Sequence, residues 1–175
     1  MIDNGSRLAR RAVLGGLVAS GALVIAGCGR QDAPQQVRQN AAQPAPAAPR
    51  LAAMTVYRDP SCGCCEAWAE IARNAGHPVT VIDHPDMATI KRRHGVPEEL
   101  ASCHTTIVDG YAVEGHVPLA AVARLLEERP AGTSGIAVPG MPRGSPGMEM
   151  PDGSSDSFQV IAFDASGKTK VFAAG

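Results

Sequence analysis

Aromatic residues are scarce in this chain: three Phe, two Tyr and one Trp among 175 residues. The apolar content of 45% is therefore carried largely by small side chains, alanine above all, and the core it can build is modest. Positive charge does not accumulate either. Sixteen Lys and Arg against seventeen Asp and Glu leave a net charge of −1. With no basic patch and no run of stacking aromatics, the chain lacks the footprint of a nucleic-acid binder. A long hydrophobic run is also missing. The apolar stretch from Ala12 to Ala26 is too short and too rich in glycine for a comfortable membrane span. What the chain does have is 19 Gly and 14 Pro, which predict long irregular segments beside one domain of ordinary size.

The N-terminus reads as a leader. Arg7, Arg10 and Arg11 precede the short apolar stretch, the arrangement of a secretory signal. Arg10 to Leu14 resembles a twin-arginine export signal, and Leu23 to Cys28 resembles a bacterial lipoprotein cleavage box. That resemblance implies lipidation of Cys28 and a location on the periplasmic side of the bacterial envelope. Contact with the membrane is then through the N-terminal lipid anchor alone. Residues 29–53, dominated by Gln, Ala and Pro without apolar period, are expected to be a disordered tether. The working domain is expected over residues 54–150, with an extension over 151–175.

Four cysteines remain once Cys28 is set aside: Cys62, Cys64, Cys65 and Cys103. Three of them fall within four consecutive residues, which packing alone does not require. The plainest reading is a disulfide between Cys62 and Cys65, allowed in an oxidising compartment, but it leaves Cys64 unexplained. Close thiols also hold soft metals. Cys62 and Cys65, three apart, can point at one centre, whereas Cys64 is expected to point elsewhere and bridge to a second.

Met54 to Arg58 reads as a strand, and helical spacing runs from Cys64 through Trp68, Ile71, Ala72 and Ala75 to a stop at Gly76. The thiols thus sit where a strand feeds a helix, where free amides and the helix dipole lower a thiol's pKa. A strand over Val79 to Ile82 follows, then a helix from Asp86 to His94 and one further turn over Pro97 to Ala101. Next come a hairpin of Thr105 to Val108 and Tyr111 to Glu114 on an Asp109-Gly110 turn, and an amphipathic helix from Pro118 to Glu128. The order β-α-β-α-β-β-α is that of an α/β, thioredoxin-like fold of glutaredoxin type. Val138 to Pro151 is expected to be an irregular loop rich in Pro, Gly and Met. Ser157 to Phe163 and Lys168 to Ala173 are expected to form a C-terminal β-hairpin.

In thioredoxin-like proteins a cis-proline usually guards the sulfurs from the loop before the third strand. This chain offers Cys103 and His104 there, which are metal-ligand types. Together with Cys62 to Cys65 and Trp68, the blocks Ser102 to Thr105, Asp109 to Tyr111, Glu114 to Pro118, Pro139 to Pro142 and Gly144 to Met148 resemble one bacterial family. It is the domain-of-unknown-function family that includes the copper-resistance protein CopG, and the match covers roughly residues 54–150. The resemblance implies a periplasmic, thioredoxin-like copper protein of copper resistance with its metal on the Cys-x-Cys-Cys run. A sulfur-bridged site for several copper ions is part of that implication.

The expected metal ligands are Cys62, Cys64, Cys65 and Cys103, holding Cu(I), with redox cycling as a further capacity of such a centre. His104, His116, Met141 and Met148 are candidates for ligation or for support of the ligands. His77, His84 and His94 sit at element ends and read as solvent-facing. Two other functions compete. A thiol–disulfide oxidoreductase would use Cys62 and Cys65 alone, and a zinc module would close on Cys62, Cys65, Cys103 and His104. Both leave Cys64 idle, so metal binding is expected over enzymatic activity. Periplasmic copper-transfer proteins are the expected partners beside copper itself.

Overall fold

The computed structural model describes residues 51–175. The leader, the cleavage box with Cys28, and residues 29–50 of the expected tether lie outside the described residues. In chain order the elements are β1 (Met54–Arg58), α1 (Gly63–Asn74), β2 (Val79–Asp83), α2 (Met87–Arg93), a 3₁₀ turn (Glu98–Leu100), β3 (His104–Val108), β4 (Tyr111–Glu114), α3 (Leu119–Glu128), β5 (Thr133–Ala137), β6 (Gln159–Asp164) and β7 (Thr169–Ala174).

Local chemistry accounts for most of these bounds. Asp86 caps α2 by accepting from the amide of Thr89 at 3.0 Å. Asp109 (φ 48°) and Gly110 (φ 85°) both take the left-handed conformation that a two-residue β3–β4 turn demands. Gly76, at φ 97°, stops the chain after α1.

The seven strands make one mixed sheet in the order β2-β1-β3-β4-β5-β6-β7. β1 and β2 are parallel, as are β4 and β5, and the other neighbours are antiparallel. This sheet is larger than the expected thioredoxin-like fold. The addition begins at β5, which was not anticipated. Its sequence, Thr-Ser-Gly-Ile-Ala, is short of apolar residues and has Gly135 at its centre. A Cβ at Gly135 would collide with the carbonyl oxygen of Ala112 on β4 and stand 2.5 Å from the Phe163 ring. The absence of a side chain is what lets the strand in. Through β5 the C-terminal hairpin, β6 and β7, is continuous with the main sheet.

Alternation along the strands sorts the core into two layers. On one face Met54, Val56, Val108, Val113, Ile136 and Val160 pack with Trp68, Ala69 and Ala72 of α1 and Val122 and Leu125 of α3. On the other, Ala112, Ala137 and Phe163 pack with Val96 and Leu100 after α2. Among the described residues no helix is long and apolar enough to cross a membrane.

Register decides where the loops meet. Arg58, last in β1, pairs with His104, first in β3, and Thr105 pairs with Glu114, last in β4. The amide of Val138, just past β5, donates to the Glu114 carbonyl at 2.9 Å. The segments that follow β1, precede β3, follow β4 and follow β5 therefore gather at one end of the sheet. Every cysteine of the described chain lies in these segments or in the first turn of α1.

Candidate metal centre

Arg58 ties the first of these segments down by donating to the Cys62 carbonyl at 3.1 Å. Cys62 occupies the N-cap of α1 without making a side-chain cap bond, which leaves the first-turn amides uncapped at the cysteine run. Cys65 is fully buried, while Cys62 and Cys64 are half-buried. Cys62 and Cys65 are joined in a disulfide, with Cα atoms 5.6 Å apart. Among the described residues Cys64 and Cys103 are the free thiols. The Cys64 sulfur lies 3.4 Å from that of Cys62, so it does not point away from the pair as its helical position suggested. The sulfurs of Cys62, Cys64, Cys65 and Cys103 all lie within 4.8 Å of one another.

Cys103 belongs to a second group as well. Its sulfur, His104 and His116 also bring donor atoms within 4.8 Å of one another. His116 Nε2 is 3.0 Å from the Cys103 sulfur, and His104 Nδ1 is 3.3 Å from it. His116 Nδ1 lies 2.8 Å from the Pro146 carbonyl. A carbonyl only accepts, so Nδ1 carries the hydrogen and the Nε2 lone pair faces Cys103. His104 is fully buried, its ring 5.1 Å from that of Trp68 and perpendicular to that of His116 at 5.0 Å. Its Nε2 has no hydrogen-bond partner. A buried imidazole nitrogen without a partner is costly, and it is Nδ1, not this nitrogen, that faces the Cys103 sulfur.

Electrostatics keeps these groups neutral. Burial and the neighbouring Cys64 push the Cys103 thiol up to about 12. Burial, with the charges of His116 and Lys91 adding to it, drops His104 to about 3. His116 is also lowered by burial, against the opposing pull of Pro146 and Glu149. Both rings are therefore in the uncharged form that ligates metals.

Beneath the Cys103 loop lies a group that sequence reasoning missed. Glu114 has no solvent exposure. Its carboxylate accepts from the Ser102 amide and the Thr105 hydroxyl, both at 2.6 Å, and from the Lys91 ammonium at 2.5 Å. Burial pushes this carboxyl above its ordinary range, and Lys91, Thr105 and Ser102 pull it back. The signal was present in the β3–β4 pattern: a charged residue where alternation points inward, opposite Thr105. Its partner Lys91 lies 23 residues away and was not legible.

The Met-bearing loop reaches the site through backbone. Besides the Pro146 carbonyl, Gly147 lies on the first turns of α1, where a Cβ would stand 2.9 Å from the Trp68 nitrogen and 3.1 Å from the Cys64 oxygen. Met141 is 53% exposed, and Met148 is half-buried. Trp68 closes the arrangement by donating to the Val117 carbonyl at 2.9 Å. Of the three histidines set aside, His77 contacts the Ala52 carbonyl at 2.9 Å and His84 accepts from the Asp86 amide at 3.1 Å. All three are half-buried rather than solvent-facing. At His94, burial lowers the pKa, and the neighbouring Arg93 charge adds to it.

The donors fit a soft cation in one respect and resist it in another. Four sulfurs at this spacing suit Cu(I) or another thiophile when all are reduced. The Cys62–Cys65 disulfide withdraws two of them. A zinc tetrahedron of Cys62, Cys65, Cys103 and His104 gains little support, because His104 groups with Cys103 and His116 and not with the other two sulfurs.

A mixed α/β sheet with four sulfurs and two imidazoles crowded at one end defines a protein with a candidate soft-metal cluster. Residues 100–148 match the family described as "Protein of unknown function, DUF411". The chain is similar to two solved structures of the copper resistance protein CopG. Form 1 is 46% identical, with 70% of this chain and 96% of that chain covered and a TM-score of 0.66. Form 2 is 45% identical, with 71% and 98% covered and a TM-score of 0.67. The chain belongs to the family of these copper resistance proteins. No curated protein matches it.

Proposed function

We propose that this protein binds Cu(I) as part of copper resistance, on the thiolates of Cys62, Cys64, Cys65 and Cys103, with His104 and His116 beside them. The observation that carries the reading is the gathering of four sulfurs within 4.8 Å at one end of the sheet. Family membership supplies the copper. Soft thiolates select the cuprous ion over harder cations, and four of them can bridge more than one ion. Redox cycling of bound copper is a further capacity of such a site.

The remaining parts of the reading go with it. β2-β1-β3-β4 with the three helices is the thioredoxin-like core, to which β5–β7 are added. The mature chain is held on the periplasmic side of the envelope through lipidated Cys28 and a tether over residues 29–53. Periplasmic copper-transfer proteins are its partners. Met141 and Met148 offer thioethers as further soft ligands or as support for the ligands. The thiol–disulfide oxidoreductase alternative explains the Cys62–Cys65 bond but gives no task to Cys64, Cys103 or the two imidazoles.

The test is an anaerobic titration of fully reduced protein with Cu(I) against a chromogenic chelator, followed by metal analysis. Tight uptake that falls when any one of the four cysteines becomes serine supports the reading. Failure of fully reduced protein to take copper from a weak chelator refutes it.

A further inference from the structure

The disulfide does not take sulfurs at random from the cluster. It joins Cys62 to Cys65 and spares Cys64 and Cys103, and Cys103 is the sulfur that the imidazoles face. The two donor groups share a corner at Cys103. Oxidation therefore halves the four-sulfur group without touching the Cys103–His104–His116 group. What remains is two thiols within 4.8 Å of each other and an imidazole whose Nε2 lone pair stands 3.0 Å from one of them. His116 needs no rearrangement to serve, since the Pro146 carbonyl already fixes its tautomer and ring.

We propose that the Cys62–Cys65 disulfide is a gate on this cluster. When it is closed, Cys64, Cys103 and His116 form a smaller site that keeps a single cuprous ion; when it is open, two more sulfurs return and the site holds more ions. The proposal rests on the copper reading above and adds a regulation to it. Closing the gate transfers two electrons and two protons from the Cys62 and Cys65 thiols to the disulfide of a thiol carrier. One S–S bond forms in the chain as the carrier's breaks, and the carrier leaves as two thiols. Opening is the reverse exchange with a dithiol. Copper keeps its oxidation state throughout, so the gate changes capacity, not valence.

The test uses the full chain with Cys28→Ser, so that the leader thiol does not enter the count. One sample is reduced with a dithiol and desalted, and another is oxidised with glutathione disulfide. Alkylation followed by mass spectrometry reads which of the four cysteines are free, and anaerobic chelator competition reads Cu(I) per chain. The oxidised sample is expected to show Cys64 and Cys103 alone as free and to bind one Cu(I). The reduced sample is expected to bind more than one. His116→Ala is expected to weaken the ion of the oxidised form by about tenfold or more. Cys62→Ser/Cys65→Ser, which cannot close the gate, is expected to bind like the oxidised protein and to ignore glutathione disulfide. That variant keeps the test decisive if His116→Ala fails to fold. A bond between Cys64 and Cys103, an oxidised form that binds no copper, or equal capacity in both forms would overturn the gate. If the reduced sample itself binds none, the copper reading fails instead, so the two failures are told apart.

Discussion

Replacing Glu114 by glutamine removes a negative charge that sits with no solvent exposure beneath the Cys103 loop. The change is nearly isosteric, so its cost is electrostatic. Lys91, with 12% of its side chain exposed, loses its counterion. Breaking a buried pair from one side costs about 3–5 kcal/mol, and the slight exposure of Lys91 places this case near 3. The new amide has one acceptor where the carboxylate had two. It keeps either the Ser102 amide or the Thr105 hydroxyl, and the lost hydrogen bond adds about 1 kcal/mol. The total of about 4 kcal/mol is a large share of the stability of an ordinary domain. For a folded body of this size it corresponds to a fall of about 12–16 °C in Tm.

Circular-dichroism melts of Glu114→Gln, Lys91→Met and the double variant measure this directly. The double variant no longer carries an orphan ammonium and should recover about 2–3 kcal/mol of the single variant's loss. The Ser102 amide precedes Cys103, so Glu114 is a positioning residue for that thiol. Cu(I) affinity should fall by about tenfold in Glu114→Gln, within the range seen for groups that orient ligands, and recover in part in the double variant. If Glu114→Gln melts within about 2 °C of the parent, or the double variant is no better than the single, the pair does not hold the loop and the reasoning fails.

Gly147→Ala and Gly140→Ala both place alanine at a positive φ, 81° and 68°. Each should lose about 1–3 kcal/mol of stability in a denaturant melt from that conformation. Only Gly147→Ala should lose more, because its Cβ meets α1 backbone while Gly140 has open space; equal losses would refute the contact. Trp68→Phe leaves the Val117 carbonyl without its donor and should cost at least about 1–3 kcal/mol in the same assay, whereas an unchanged midpoint would deny that bond a structural role. Asp156, held by Arg143, has its pKa lowered below the ordinary 3.8, chiefly by that side-chain hydrogen bond. A depressed folded value means that its contribution is complete above 3.8 and is lost as pH falls through the lowered value. Amide protection in residues 143–156, measured relative to the intrinsic exchange rate at each pH, should therefore fall on acidification in the parent. In Asp156→Asn that protection should already be low at neutral pH, and a parent-like profile there would exclude the clamp.

The elements from β1 to α3 were legible because each carries its own signal. Leu119, Val122, Leu125 and Leu126 mark one face of α3, Asp86 caps α2, and Asp109-Gly110 turns the β3–β4 hairpin. β5 was not legible because its signal lies elsewhere. Gly135 is there to clear Ala112 and Phe163, and both of those residues belong to other strands. A strand chosen by its neighbours has little pattern of its own. The site divides in the same way. The three thiols of the Cys62–Cys65 run announce themselves by crowding, and Cys103 by adjoining His104 just ahead of β3. The tautomer of His116 depends on the Pro146 carbonyl that accepts from its Nδ1, a contact 30 residues away in sequence. Lys91 under Glu114 is hidden for the same reason.

That division follows from where the donors sit. Cys62 follows β1, Cys103 precedes β3, His116 follows β4, and the loop that orients His116 comes after β5. None of these segments forms the site alone, and only the sheet register brings them to one end. A donor cluster built this way is assembled by folding and not by any one motif. The Cys62–Cys65 run accordingly supplies the sulfurs that oxidation can withdraw. Cys103 and His116, fixed from other strands, stay in place when it does. A peptide spanning Cys62 to Cys65 carries only the first half of that arrangement, so the behaviour of the oxidised state is a property of the folded chain.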